Sequence, residues 1–225
     1  MRYDVITLFP GIIEDYCSYS IMKRGIENGI ISVNTVNPRD YTHDKHRRVD
    51  DTPYGGSSGM VLMAPPVFEA YESLERLENS EFIMLTPQGE PYNQRISEEL
   101  SHKDQLILLC GRYEGFDERI RLALKPREIS LGDYVLTGGE LGALCIMDSV
   151  SRHLNGFLNK EESSLNDSFS EALEGILEHP QYTRPQEYRG MRVPEVLLNG
   201  NHAEIEKFRH EQRILRTKAR RPDLM

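Results

Sequence analysis

Apolar residues gather in short runs along the first two thirds of the chain. They are "YDVITLF" at 3–9, "ISVNTV" at 31–36, "EFIMLT" at 81–86 and "QLILLC" at 105–110, with a weaker "REISLG" at 127–132. Each has strand length, and most are apolar nearly throughout rather than alternating. That is the pattern of strands buried on both faces, as in a parallel sheet covered by helices. Between the runs the spacing turns helical. Ile12, Ile13, Tyr16 and Tyr19 suit one helix, and Val67, Phe68, Tyr71 and Leu74 another. Ile96 with Leu100, and Ile120 with Leu124, mark two short ones, and Glu140 to Leu154 reads as a longer helix. The alternation predicts an α/β domain over residues 1–157, a parallel sheet flanked by helices.

The pattern lapses at "LNKEESSLNDSFSEA", which is polar and Ser-rich and reads as a linker over residues 158–170. Residues 171–225 predict a small helical domain. It opens on the turn-rich "HPQYTRPQEYRGMRVPEVLLNGNH" and continues as a helix from Ala203 to Arg220, stopped by Pro222. Ile205, Phe208 and Leu215 mark the apolar stripe of that helix. Arg209, Arg213, Arg216 and Arg220 fall at i, i+4, i+7 and i+11, one basic face.

Charge refines this picture. The net charge of -9 argues by itself against a nucleic-acid partner. Yet residues 201–225 carry seven Lys and Arg against four Asp and Glu, and "HDKHRR" at 43–48 is a second basic knot. Placement outweighs the total. No apolar run approaches the ~20 residues of a membrane span, and "MRYDVITLFPGII" lacks a signal-peptide layout. Cys17, Cys110 and Cys145 are far apart in apolar surroundings and read as reduced core thiols of a cytoplasmic protein.

Candidate chemistry lies at three strand ends: "LTPQGEPYNQ" at 85–94, "CGRYEGFDERI" at 110–120 and "SLGDYVLTGGE" at 130–140. In an open parallel sheet, ligands sit outside the carboxyl ends of the strands. No Lys follows Gly138-Gly139, and neither phosphate-loop nor dinucleotide glycine spacing is present, so a phosphate cradle is unsupported. One such loop alone would be an ordinary turn. Three of them, with Tyr113, Glu114 and Tyr134, predict a ligand pocket.

In these strings the chain resembles the bacterial tRNA (guanine-N1)-methyltransferases. "LFPG", "PRDYTHDKHRRVDDTPYGGSSGM", "CGRYEGFDERI", "SLGDYVLTGGE", "DSVSRHLNG", "NDSF", "HPQYTRP" and "VPEVLLNGNHAEI" follow the family's order over nearly the full length. The resemblance implies an α/β domain of the SPOUT class with a deep trefoil knot, a small helical C-terminal domain that binds tRNA, and a homodimer. It implies S-adenosyl-L-methionine as methyl donor. That cofactor would be held by Leu85, Thr86, Pro87, Gln88 and Gly89, by Gly111, Tyr113 and Glu114, and by Ser130, Leu131, Gly132, Asp133, Tyr134, Val135, Leu136, Gly138 and Gly139. The expected product carries a methyl group on N1 of the guanine immediately 3′ of the anticodon. Substrate contacts are expected from His46, Asp50, Gly59, Arg209, Arg213 and Arg216.

Guanine N1 carries a proton and is a poor nucleophile until that proton leaves, and charge then develops on O6. A carboxylate and a cation would serve. By resemblance these are Asp167 in "NDSF" and Arg152 in "SRH", meeting across the dimer interface. Read alone, Asp167 would be a helix cap or turn acid and Arg152 a surface cation. Glu114 reads either as a solvated loop acid or as a partner of the Mg²⁺ that assists the family. His43 and His46 lack a third metal ligand. "TPYGGSSGM" reads as a mobile cover. Ser57 and Ser58 depart from the family's usual residues there. A different knotted RNA methyltransferase, or a non-catalytic tRNA-binding protein, are the alternatives. The presence of Arg152, Asp167 and all three loops speaks against the second.

Overall fold

Each of the five apolar runs forms a strand of one parallel sheet. The computed structural model describes residues 1–56, 58–158 and 167–225. In chain order its strands are β1 (Arg2–Ile6), β2 (Ser32–Val36), β3 (Asp50–Asp51), β4 (Val61–Leu62), β5 (Ser80–Pro91), β6 (Gln105–Leu109), β7 (Arg127–Ser130), β8 (Glu187–Tyr188) and β9 (Met191–Arg192). The helices are α1 (Pro10–Cys17), α2 (Ser20–Glu27), α3 (Ala64–Glu72), α4 (Gln94–Leu100), α5 (Glu118–Leu124), α6 (Glu140–Ser151) and α7 (His202–Arg220). The chain divides into two compact units, Met1–Asn159 and Lys160–Met225.

In the first unit the sheet order is β2-β1-β6-β5-β7, parallel throughout. Central β6 is buried at every position, whereas edge strand β2 is largely uncovered, which is why its sequence mixes Ser, Asn and Thr with Val. Successive side chains point to opposite faces. Tyr3, Val5, Leu106 and Leu108 join a core with Ile13, Met22, Ile96, Leu100, Ile146 and Val150, under α1, α2, α4 and α6. Ile6, Met84, Ile107 and Leu109 join Val67, Ala70, Leu74 and Ile120 on the other face, under α3 and α5. At the amino ends the fully buried Asp4 ties three strands together. It accepts from Asn34 Nδ2 at 2.8 Å and Gln105 Nε2 at 2.7 Å, and pairs with Arg2 Nε at 2.8 Å.

Several expectations need correction. Of the helix-spaced residues at 12–19 only Ile13 enters the core; Ile12, Tyr16 and Tyr19 are exposed. The first helix ends at Cys17, so Tyr19 lies beyond it, and α2 was not foreseen. Cys17 and Cys110 are buried thiols, but Cys145 is exposed. Burial pushes the Cys17 thiol up to about 11 and Cys110 well above its ordinary value, which favours the neutral thiol in both. Most of the linker expected at 158–170, namely 159–166, lies outside the described residues, as does Ser57.

The second unit holds α7, single turns at Glu171–Leu173 and Glu195–Leu197, and an unforeseen antiparallel ribbon of β8 and β9. Asn201 caps α7, accepting from the amide of Ala203 at 3.2 Å. The inward face of α7 keeps only part of the expected stripe, since Ile205 and Phe208 are half-buried but Leu215 is not. Leu215 is 59 % exposed and Thr217 is fully buried, donating to the Arg213 carbonyl and accepting from the Leu177 amide. Arg209 and Arg213 share that inward face, each with Nε buried. Long arginine stems can cover apolar surface while their tips reach water, so charge periodicity misassigned the face. Among the described residues no helix is long and apolar enough to cross a membrane.

Candidate functional site

The three glycine-containing loops meet at the carboxyl ends of β5, β6 and β7 around a cavity of about 360 Å³. Its lining includes Leu85, Thr86, Pro87 and Gln88 from the first loop, and Gly111, Tyr113 and Glu114 from the second. The third gives Ser130, Leu131, Gly132, Tyr134, Val135, Leu136, Gly138 and Gly139. Two sequence-expected residues are not in the lining, Gly89 and Asp133. Gly89 has a different task. β5 pairs Leu85 with Ile129, detours through 86–89, and pairs Glu90 with Ile129 again. A Cβ on Gly89 would strike the backbone of Glu128 and Ile129, so only glycine brings the two strands this close at the foot of the detour.

At the floor, the Gly139 amide donates to the Gly111 carbonyl at 2.9 Å and α6 begins. A Cβ there would lie 2.7 Å from both Cys110 Cα and Gly111 N. Gly138 lines the cavity beside the pair formed by Arg112 and Glu140, whose side-chain atoms a Cβ would overlap. Glu140 is buried; it accepts from Thr7 Oγ1 at 2.7 Å and lies 3.4 Å from Arg112 Nη2. Arg112 also donates to the Thr137 carbonyl at 2.7 Å and stacks over Phe9. The other cation of the lining, Arg121, pairs with Glu128 at 2.8 Å and with Glu118. Both cavity cations are thus engaged by carboxylates, which agrees with the absence of a phosphate motif. Arg112, Phe116, Thr137 and Gly142 also line the cavity and were not selected from sequence. For Arg112 the signal was its place within "CGRYEGFDERI"; Gly142 gave one only as a small residue three positions past Gly139.

A second layer brings two of the expected substrate residues to the cavity rim. Backbone hydrogen bonds from Glu114 to Met60, Leu62 to Gly115 and Asp117 to Leu62, each 2.9 Å, dock the segment around β3 and β4 on the second loop. Gly59 (φ 88°) abuts the Glu114 side chain. Asp50 lies near Tyr113, whose hydroxyl accepts from Arg39 Nη2 at 3.4 Å. Burial, then Asp50, raises the Tyr113 phenol above its ordinary value. His46 is exposed beside Asp44 and its partner Arg48. Within the second unit, Arg209, Arg213 and Arg216 gather around His179. Asp167 and Arg152 are both half-buried; Arg152 terminates α6. Among the described residues no group of three or more His, Cys, Asp or Glu is placed to hold a metal.

An open parallel α/β sheet with a glycine-walled cavity at its strand ends defines a ligand-binding α/β fold. The model of one family, described as tRNA (Guanine-1)-methyltransferase TrmD, matches residues 1–225. Proteins named tRNA (guanine-N(1)-)-methyltransferase from Staphylococcus epidermidis and Staphylococcus aureus are each 52 % identical to the chain, and one from Staphylococcus haemolyticus is 51 % identical. Each comparison covers 100 % of this chain and 91 % of the relative. The chain belongs to the tRNA (Guanine-1)-methyltransferase TrmD family and is a methyltransferase.

Proposed function

We propose that the chain transfers a methyl group from S-adenosyl-L-methionine to N1 of the guanine immediately 3′ of the anticodon in tRNA. The observation that carries this reading is the cavity, in a chain of this family. Its walls are backbone brought close at glycines, and its arginines are already committed to carboxylates. Such a site suits a neutral nucleoside and a cation rather than a phosphate, and its volume falls in the usual range for small-molecule sites. S-adenosyl-L-methionine supplies, when bound, an electrophilic methyl group on a sulfonium centre.

Asp167 accepts the N1 proton in this reading, and Arg152 stabilises the charge that develops on O6. Gly59 and Asp50 approach the substrate from the rim, His46 contacts it from its exposed loop, and the tips of Arg209, Arg213 and Arg216 contact its backbone. The working unit is a homodimer whose sites draw on both chains. Two observations support this. Arg152 ends the helix whose Gly142 lines the cavity, so at 1.5 Å per residue it lies about 15 Å along α6 from its own cavity. Phe9, Ile12 and Tyr16 of the α1 region and Leu141 of α6 are exposed apolar residues that a second copy would cover.

Incubation with methyl-labelled S-adenosyl-L-methionine and bulk tRNA, followed by nucleoside digestion, tests the reading. N1-methylguanine mapped to the position after the anticodon is expected. Another labelled nucleoside would mean a different knotted RNA methyltransferase, and no label a binding protein without this activity.

A further inference from the structure

Arg209 and Arg213 turn their stems toward their own unit, but exposed cations and the unit's most exposed aromatic ring meet elsewhere, on the ribbon of β8 and β9. A two-residue turn closes it, Arg189 (φ 52°) and Gly190 (φ 78°), both left-handed as a type I′ hairpin turn requires. The register sets Glu187 opposite Arg192 and Tyr188 opposite Met191. Two unlike faces result. On one, Arg192 Nε donates to Glu187 at 2.6 Å. On the other, Tyr188 and Met191 stand side by side, 56 % and 66 % exposed. The guanidinium of Arg189 lies over the Tyr188 ring, 5.2 Å from its centroid. Every residue from 181 to 192 is exposed, and three arginines there face one glutamate in a chain of net charge -9.

A two-stranded ribbon is marginal by itself, and an aromatic ring and a thioether left bare on it add no burial. A bare ring under a guanidinium, with further cations beside it, does match one kind of ligand. Unpaired nucleobases stack on aromatic rings and guanidinium planes while cations answer the phosphates. An apolar protein surface would use Tyr188 and Met191 but leave the surplus of arginine unanswered, so charge complementarity favours RNA.

We propose that the β8–β9 ribbon is a base-stacking finger: Tyr188, covered by Arg189 and flanked by Met191, receives an unpaired nucleotide of the RNA substrate. The proposal rests on the reading of the chain as a tRNA methyltransferase and adds a contact separate from its cofactor and proton-transfer residues. Stacking tolerates any base, so the finger grips an unpaired segment without reading its sequence.

The test uses the full-length chain and a tRNA transcript, with binding followed by fluorescence anisotropy. Tyr188→Ala should weaken binding by about tenfold or more, and Tyr188→Phe should restore it. Arg189→Asn is the sharper variant. Asn-Gly is a favoured type I′ pair, so the hairpin is kept while the guanidinium is removed, and weaker binding is not explained by unfolding. A fully paired RNA duplex should bind wild type and variants alike. Cofactor affinity by calorimetry and sedimentation mass should not change. Equal tRNA affinity in Tyr188→Ala and Arg189→Asn overturns the finger, as does equal weakening on the duplex. A fall in sedimentation mass without loss of tRNA affinity would make this a protein-contact face instead. If the variants bind tRNA less well but the wild type transfers no methyl group, the finger stands and the enzymatic reading fails. Intact methyl transfer with unaltered affinities would do the reverse, removing the finger and leaving the enzyme.

Discussion

A proton acceptor is tested most cleanly by an isostere without basicity. Asp167→Asn keeps the shape of the side chain but takes no proton, and loss of a general base costs ~10²–10⁴-fold. Turnover should fall by that order in single-turnover methylation, with cofactor and tRNA affinities little changed, because the loss is confined to the transition state. Undiminished turnover would remove Asp167 from that role. His179 makes a different prediction. Burial, then the nearby charges of Arg209, Arg213 and Arg216, lowers its proton affinity, with Glu206 opposing. The unfolded chain therefore binds this proton more readily, so the stability it contributes is present above about pH 6.5 and is lost as pH falls below it. Denaturation midpoints across that range should show the slope in the wild type and a shallower one in His179→Gln. Equal slopes would clear His179. Neither residue announced itself by pattern. Asp167 was legible only through a family string, and His179 matters because three arginines of a distant helix close around it.

Gly139 is where strand end and helix start touch through backbone alone. Gly139→Ala would force Cys110 and Gly111 away from α6, and overpacking of this kind costs about 1–3 kcal/mol. A lower melting temperature and at least tenfold weaker cofactor binding are expected by calorimetry. Gly11→Ala is the control, since a Cβ there meets nothing within 4 Å. Wild-type affinity in Gly139→Ala would detach this floor from the ligand. At this scale the sequence spoke unevenly. Strands buried on both faces declare themselves by unbroken apolar runs, and the parallel sheet followed from them. α2, the detour at 86–89 and the ribbon did not, because short paired segments are specified by their partners more than by their own periodicity. α7 was found with Ile205 and Phe208 on its half-buried side, but Leu215 was misassigned and Arg209 and Arg213 were not foreseen there, since arginine stems pack as apolar groups do.

If each active site takes Arg152 from one chain and Asp167 from the other, two inactive proteins should revive one another. A mixture of Arg152→Ala and Asp167→Asn would contain heterodimers with one doubly damaged site and one intact site, and partial methylation should return. No recovery, in a mixture whose heterodimers are confirmed by mass spectrometry, would assign both residues to the same chain. A shared site is invisible in a single sequence, because no spacing along one chain encodes what a second copy supplies. The detour in β5 has a consequence for the order in which the protein can be completed. Both feet of the detour are held by Ile129, on β7, the last strand of the sheet to be synthesised. The floor arrives later still, with Gly139 and α6. A nascent chain can therefore pair four strands while its cavity has neither its clamp nor its base. A ligand of this cavity can do nothing to guide those early steps, and a prematurely terminated product of that length would not compete for it.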